Sequence, residues 1–296
     1  MRGIVLAGGT GSRLWPATRA VGKQLMPVYD KPMVYYPLAT LMLAGIRNVL
    51  IITTPEDGDA FRRLLGDGSS LGLSIGYAVQ ERPRGIADAF LVGADFVGTG
   101  PVALVLGDNL FHGDGFGRLL RREVGRLRGC TLFGYAVSDP QRYGVVVADS
   151  SDRVLSIEEK PARPRSSLAV TGLYLYDGDV VARAQELTPS ARGELEITDL
   201  NNSYVAAGLA RLVTLGRGMA WLDTGTHDSL IEAAVFVQAL ERRQGVRIAC
   251  LEEIALRMGY IDADTALALG RAQAASAYGE YVERVAVEFG ANVAAG

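Results

Sequence analysis

Short apolar runs bounded by turn residues recur along the first third of the chain and predict buried strands. They cover residues 3–7, 49–53, 74–80 and 102–106. Segments with apolar residues at helical spacing separate them, over residues 33–44, 60–65, 86–96 and 116–127. Because strands that alternate with helices need crossover connections, the pattern predicts an α/β fold with a mainly parallel, Rossmann-like central sheet.

The middle of the chain has a different pattern. Strand-like runs follow one another with few helices between them, over residues 131–137, 143–148, 154–158 and 169–176. This predicts an inserted, more antiparallel layer that carries a second binding surface. Residues 228–243, and residue 252 to the end, have a helical pattern. We expect one compact unit, with a core over 1–227 (halves at about 1–110 and about 111–227) and a helical region over 228–296.

Composition narrows the class of protein. The 296 residues are 49% apolar and 21% charged, which is typical of a globular protein. A net charge of −3 without a basic run argues against nucleic acid or a membrane surface as the main partner. The two cysteines, Cys130 and Cys250, lie far apart and favour a reducing compartment. With neither a signal peptide nor a membrane-spanning run, we expect a cytoplasmic protein.

Three glycines, Gly8, Gly9 and Gly11, follow the first predicted strand. In parallel sheets, ligands bind outside the carboxyl ends of strands, and glycines let backbone N–H groups approach phosphate closely. A plain strand-to-helix turn is the alternative. The spacing matches neither the dinucleotide-binding nor the Walker pattern. Asp30, about 20 residues further on, lies between prolines, where a second sheet strand is disfavoured. The loop therefore argues against a dehydrogenase.

Two cations follow the glycine loop, Arg13 and Lys23. A fork-shaped guanidinium suits two phosphate oxygens, whereas an ammonium acts as a compact point charge. Either cation alone would more often be a solvated surface residue. The complete string, GG-x-G-x-R-L-x-P followed by K-x-L-x-P-V, is far more specific.

The segments LAGGTGSRLWPATR and GKQLMPVYDKPMVYYPL resemble the signature of the sugar-nucleotide pyrophosphorylases, specifically the glucose-1-phosphate thymidylyltransferases. Five further segments resemble other blocks of that family and occur in the same order: LVLGDN, EEKP, VTGLY, RGELEITD and WLDTGTHDS. The resemblance covers nearly the whole chain. It implies the nucleotide-diphospho-sugar transferase fold, with dTTP and glucose 1-phosphate as substrates and dTDP-glucose as product.

Two aspartates stand in the resembled blocks, Asp108 and Asp223. Each could merely fix a turn, but the resemblance implies that both hold the catalytic Mg²⁺. Magnesium bound by one or two carboxylates and by phosphate oxygens is the expected site. In-line displacement depends on positioning and charge stabilisation, so we assign Arg13 to the departing β- and γ-phosphates and Lys23 to the α-phosphate. No covalent nucleophile is required, and both histidines are expected to be structural or peripheral.

The resemblance also implies a site for the pyrimidine base, formed by Gln80 and Gly85 with Gly8. A glutamine amide offers a donor and an acceptor, which match the edge of thymine or uracil. The string ERPRGIADA carries Arg84 and Ile86 where an acidic or polar residue and leucine are commoner. Thymine and uracil differ by one methyl group, which an apolar pocket distinguishes weakly. The preference between dTTP and UTP therefore stays open.

The sugar phosphate is expected on the antiparallel layer. The resemblance implies that Glu159 accepts the sugar hydroxyls and that Lys160 meets the phosphate. An adjacent Glu-Lys pair is usually a solvated surface, and only its place among the other blocks favours a site. The other residues implied for this site are Tyr143, Gly144, Thr171, Gly172 and Arg192.

Beyond Asp228 the chain carries no catalytic motif. Family members of this length assemble as tetramers of paired dimers, and some bind a nucleotide or end product at a second site between subunits. Arg217, Glu253 and Arg257, near Cys250, are candidates for such a site, although helix-surface charges are the simpler account. Rival functions are a uridylyltransferase, a thymidylyltransferase for another hexose 1-phosphate, and a non-catalytic sensor of sugar nucleotides.

Overall fold

A computed structural model describes residues 1–9 and 11–294. Its strands are β1 (Arg2–Ala7), β2 (Pro27–Val28), β3 (Lys31–Pro32), β4 (Asn48–Thr53), β5 (Ser74–Val79), β6 (Val102–Leu106), β7 (Asn109–His112), β8 (Cys130–Ala136), β9 (Gly144–Ala148), β10 (Val154–Glu159), β11 (Leu168–Tyr176), β12 (Ala210–Thr214) and β13 (Ala220–Asp223). Its helices are α1 (Tyr35–Leu43), α2 (Gly58–Leu65), α3 (Asp88–Val92), α4 (Ala94–Val97), α5 (Phe116–Arg126), α6 (Val180–Gln185), α7 (Ile197–Ala206), α8 (His227–Gln244), α9 (Leu251–Arg257), α10 (Ala263–Arg271) and α11 (Ala277–Ala294).

Nine strands form one sheet, in the order β10-β9-β11-β6-β1-β4-β5, with β8 paired to β11 and β12 paired to β8. Strands β6, β1, β4 and β5 are mutually parallel, and β11 joins them antiparallel to β6. The predicted α/β fold with a parallel central part is confirmed. The antiparallel strands do not form a layer of their own, because β11 pairs with β6 through buried residues (Leu173–Tyr176 with Val102–Val105) and so continues the sheet.

Both faces of the parallel part are buried, which explains its unbroken apolar runs. Along β4, Val49 and Ile51 face one core and Leu50 and Ile52 face the other. Side chains of α1, α2, α5 and α9 complete the first core, and those of α3, α6 and α7 complete the second. The loops that leave the carboxyl ends of β1 and β6 therefore lie at the rim of a rigid, fully covered sheet.

Several elements differ from the sequence predictions. The helix predicted over residues 86–96 is divided at Gly93 into α3 and α4, and the C-terminal helical pattern is three helices, α9 to α11. The short ribbon of β7 and β13 was not predicted, nor were α6 and α7. The helix predicted over residues 228–243 begins one residue earlier, at His227, because Thr226 and Ser229 form a capping box. Among the described residues, no helix is long and apolar enough to cross a membrane.

Candidate active site

The ribbon of β7 and β13 brings the two predicted metal-binding aspartates together. Asp108 directly precedes β7, and Asp223 ends β13, where it lies opposite Asn109 in the antiparallel register. Thr224 then donates two hydrogen bonds to the Asp108 carbonyl, from its backbone N–H (3.1 Å) and its hydroxyl (2.9 Å). Two segments that are distant in sequence are thus fixed side by side at the carboxyl end of β6.

Two cavities adjoin at this point. One, of about 260 Å³, lies along the glycine loop, and the other, of about 300 Å³, lies along the antiparallel strands. The residues that border both are Gly8, Arg13, Gln24 and Asp108. The smaller cavity is also lined by Gly9, Gly11 and Lys23. The larger is also lined by Tyr143, Gly144, Glu159, Lys160, Gly172 and Asp223. Most of the predicted site residues therefore line one or both of two cavities that share four residues.

The glycine loop has the backbone conformation that its composition indicates. Gly9 and Gly11 adopt φ angles of 102° and 56°, in the region that residues with a Cβ rarely enter. A Cβ on Gly9 would meet nothing within 4 Å, so its backbone conformation, and not lack of space, selects glycine there. The Thr18 hydroxyl donates to the Gly11 carbonyl at 2.7 Å and holds the end of the loop.

Lys23 is buried at the floor of the smaller cavity, and its ammonium lies 2.5 Å from the Asp108 carboxylate. A short 3₁₀ turn, Lys23–Leu25, presents it there. Burial by itself would raise the pKa of Asp108, but the Lys23 charge, aided by hydrogen bonds from Lys23 and Asn109, holds that pKa below its usual value. Asp108 is therefore ionised, as a metal ligand must be.

The pKa of Asp223 is shifted in the opposite direction, upwards. Burial, and then the neighbouring Asp108 charge, raise its pKa to about 6, although Lys23, Arg13 and Arg142 act against this. Burial and the Asp108 charge thus disfavour the ionised form of Asp223, and a bound divalent cation would favour it. Among the described residues, no group of three or more acidic, histidine or cysteine side chains could hold a metal alone. Mg²⁺ here would need phosphate oxygens as further ligands, and this matches its preference for few protein carboxylates.

The larger cavity presents a carboxylate and an ammonium in contact. Glu159 accepts a hydrogen bond from the Thr198 hydroxyl at 2.7 Å, and Lys160 lies 3.3 Å from its other oxygen. The Lys160 side chain is half exposed, so it can turn towards a bound anion. Thr198 was not predicted as a site residue, although it lies in RGELEITD, one of the segments that resemble the family.

The buried Asn109 side chain links Asp108 to Gly172 and Trp221. Its amide donates to Asp108 at 2.9 Å, while its oxygen accepts from the Gly172 N–H (3.0 Å) and the Trp221 indole N–H (2.6 Å). A Cβ on Gly172 would lie 2.6 Å from that oxygen, so only glycine permits the approach. Asn109 and Trp221 were also missed, since an Asn after an Asp is common in turns.

Replacing Asn109 by alanine should lower kcat/KM by about 10- to 100-fold, because it leaves two buried N–H groups unpaired and frees the Asp108 side chain. Steady-state kinetics and thermal unfolding measure the effect. Asn48→Ala, at an exposed position in β4, is the matched control. A variant with both wild-type activity and wild-type melting temperature would contradict the role given to Asn109.

Comparison with known proteins places the chain in a family. Residues 2–239 match the family model described as nucleotidyl transferase. The chain belongs to the nucleotidyl transferase family. The glucose-1-phosphate thymidylyltransferase of Neisseria meningitidis serogroup A is 55% identical, over 96% of this chain and 99% of its own length. That of Mycobacterium tuberculosis is 53% identical, over 95% and 98%. The predicted resemblance is confirmed, as is the prediction of a nucleotidyltransferase enzyme of this kind.

Solved structures of related fold agree with this family assignment. A Bacillus anthracis protein named as a glucose-1-phosphate thymidylyltransferase superposes with a TM-score of 0.74 at 42% identity, over 80% of this chain and 94% of its own. A UDP-glucose pyrophosphorylase gives a TM-score of 0.70 at 21% identity, over 82% and 98%. The second likeness bears on the fold alone.

Four of the site residues predicted for this nucleotidyl transferase do not line either cavity. Gln80 is buried behind Gly8, and Gly85 packs against the backbone of Leu195. Thr171 is fully buried in β11. Arg192 is bound by Glu196, with both carboxylate oxygens at 2.9 Å from its guanidinium. Their predicted contacts with ligands stay predictions. Arg142, which borders the larger cavity near Asp223, was not predicted.

The candidates for a second site are only partly brought together. Glu253 and Arg257 form an ion pair at 2.7 Å and border a cavity of about 720 Å³ between α1, α5 and α9. Arg217 does not line it. Cys250 is buried, and burial raises the pKa of its thiol well above the ordinary value. The second site therefore stays a prediction that rests on two of its residues.

Proposed function

We propose that this nucleotidyl transferase moves a deoxythymidylyl group from dTTP to α-D-glucose 1-phosphate, releasing pyrophosphate and giving dTDP-glucose for deoxysugar synthesis. One observation carries the proposal: Arg13, Lys23, Asp108 and Asp223, from separate segments, converge on two adjoining cavities. Two cavities that share Asp108 suit a reaction in which two phosphates must meet. The names of the relatives supply the substrate class.

In this proposal the triphosphate of dTTP occupies the smaller cavity beside the glycine loop. Arg13 binds the departing β- and γ-phosphates, and Lys23 binds the α-phosphate. The sugar phosphate occupies the larger cavity, where Glu159 accepts its hydroxyls and Lys160 pairs with its phosphate. The attacking oxygen then approaches the α-phosphorus in line with the leaving pyrophosphate, and no covalent enzyme intermediate forms.

Asp108 and Asp223 fit a magnesium ion, because both are acidic, both line the larger cavity, and the charge of Asp108 raises the pKa of Asp223. When bound, the ion neutralises charge on the phosphate oxygens during the displacement. Asn109 and Thr224 orient Asp108 for this role through its side chain and its carbonyl, respectively. Lys23 pairs with the Asp108 carboxylate and would supply its positive charge to the α-phosphate of the bound triphosphate.

A pyrophosphate-release assay tests the proposal with a matrix of triphosphates (dTTP, dUTP, UTP, dCTP) and sugar 1-phosphates (glucose, galactose, mannose), each with and without Mg²⁺. We expect turnover with dTTP and glucose 1-phosphate that stops in EDTA. A marked preference for UTP would identify a uridylyltransferase. Binding of dTDP-glucose without pyrophosphate release from any pair would identify a sensor.

Assembly and regulation belong to the same proposal. We expect a homotetramer, built as a dimer of dimers, with a mass in light scattering of about four times the 31.5 kDa chain. The cavity beside Glu253 and Arg257 would bind an inhibitory dTDP-sugar. Inhibition that survives saturating glucose 1-phosphate would support this second site, and purely competitive inhibition would count against it.

A further inference from the structure

The Gln80 side chain is held in a single orientation. Its amide nitrogen donates to the Asp88 carboxylate at 2.9 Å and to the Gly85 carbonyl at 3.2 Å. Both partners are acceptors, so an exchange of the amide oxygen and nitrogen would set an acceptor against two acceptors. The amide oxygen, Oε1, therefore has to point the other way.

Oε1 lies beside Gly8, at the start of the glycine loop. A Cβ added to Gly8 would be 3.0 Å from it, and Gly8 borders both cavities. No described residue donates a hydrogen bond to Oε1. Oε1 is therefore the Gln80 atom that remains to accept a hydrogen bond from a ligand beside Gly8, while both hydrogens of the Gln80 amide are already used.

Asp88 is the side chain that imposes this orientation, together with the Gly85 carbonyl. It is 2% exposed, and its second oxygen lies 3.5 Å from the Arg84 guanidinium. Arg84 thus neutralises a buried carboxylate whose only described side-chain hydrogen bond is to Gln80. Arg84 and Asp88 make no contact with the phosphate or sugar residues described above, so the proposed chemistry does not account for them.

We propose that Asp88, supported by Arg84, is a positioning residue that sets base selection, because it fixes Gln80 as an acceptor and so selects bases with an N–H at the matching position. The inference rests on the proposed function. Thymine and uracil carry a hydrogen on N3, whereas cytosine has a lone pair there. An oxygen facing that lone pair repels it, and a buried polar group left unpaired is strongly discriminating. The selection is therefore against cytosine and not between thymine and uracil.

Steady-state kinetics of Asp88→Asn with dTTP, dUTP and dCTP separate selection against cytosine from selection between thymine and uracil. dUTP and dTTP differ only in the methyl group, while dUTP and dCTP differ in the edge that Gln80 meets. Wild-type enzyme should favour dUTP over dCTP by at least about 100-fold in kcat/KM. The amide introduced in this variant can donate to Gln80 and allow the Gln80 amide to turn, so the dUTP/dCTP ratio should fall about tenfold or more. The dTTP/dUTP ratio and the KM for glucose 1-phosphate should not change.

Asp95→Asn, the same change at an exposed position in α4, is the matched control and should leave every ratio unchanged. Asp88→Ala, which removes the acceptor without adding a donor, replaces Asp88→Asn if the latter does not fold. An unaltered dUTP/dCTP ratio in a folded variant overturns the inference, and so does a wild-type enzyme that uses dUTP and dCTP equally. Wild-type enzyme inactive with dTTP and dUTP would instead overturn the proposed function.

Discussion

Lys23→Ala should lower kcat/KM for dTTP by about 100- to 1,000-fold, which corresponds to about 3–4 kcal/mol of lost transition-state stabilisation. Lys23 is the buried cation of the smaller cavity and lies 2.5 Å from Asp108. In the proposed mechanism, its removal deprives the α-phosphate of a fixed charge, and it leaves the Asp108 and Asp223 carboxylates without the Lys23 charge. Single-turnover kinetics at saturating dTTP would separate the loss in the chemical step from weaker binding.

The variant should nevertheless fold, because the Asp108 side chain is 23% exposed and borders both cavities, where water and counter-ions reach it. Lys23→Met, which keeps most of the volume, should be equally inactive. Arg63→Ala, at an exposed cation on α2, controls for a general loss of positive charge. Near-normal turnover by a folded Lys23→Ala protein would remove Lys23 from the proposed mechanism.

Asp223→Asn should abolish turnover at millimolar Mg²⁺, with a loss of about 1,000-fold or more, since metal-ion stabilisation is worth several kcal/mol. The amide keeps the shape of the carboxylate but cannot supply its charge. Isothermal titration with Mg²⁺ and a non-hydrolysable dTTP analogue should show weakened metal binding. Asp114→Asn, at a fully exposed aspartate, is the matched control. Metal binding and activity like the wild type would exclude Asp223 as a ligand.

The same variant should be more stable than the wild type when magnesium is absent. The pKa of Asp223 is about 6 in the folded protein against an ordinary 3.8, so folding favours its protonated form. Stability is therefore lost as the pH rises through this interval, and the loss is complete above pH 6. Because asparagine does not ionise, Asp223→Asn avoids a loss of about 3 kcal/mol in the free energy of unfolding.

Thermal unfolding in EDTA measures this effect. Asp223→Asn should melt a few degrees above the wild type at pH 7.5, and the difference should shrink towards zero near pH 4. Equal melting temperatures at pH 7.5 would show that Asp223 carries no such cost. A gain in stability with a loss of activity is typical of residues kept for function.

The central sheet could be predicted from the sequence because its strands are buried on both faces. In β1 and β4 almost every residue is apolar, and turn residues end each run, so the pattern is local and unambiguous. The arrangement of the middle strands could not be predicted in the same way. Whether β11 begins a new layer or continues the sheet depends on which strand it pairs with, and pairing is not a local property.

The candidate site, too, could be predicted only in part from the sequence. The glycine loop, Arg13 and Lys23 could be found because they form one contiguous string. Asn109 and Asp88 could not, because their roles depend on hydrogen bonds to partners that tertiary packing supplies, such as the Trp221 indole N–H. An isolated Asn or Asp has too many structural roles for its type to reveal such a partner.

The pairing of β7 with β13 also matters while the protein is being made. The glycine loop, Lys23 and Asp108 leave the ribosome long before Asp223, which is held beside Asp108 only through β13 and Thr224. A nascent chain that ends before Ala220 therefore contains the residues proposed to hold the triphosphate but lacks Asp223, the second proposed metal ligand. Premature termination in this interval should therefore yield fragments without the proposed transfer activity.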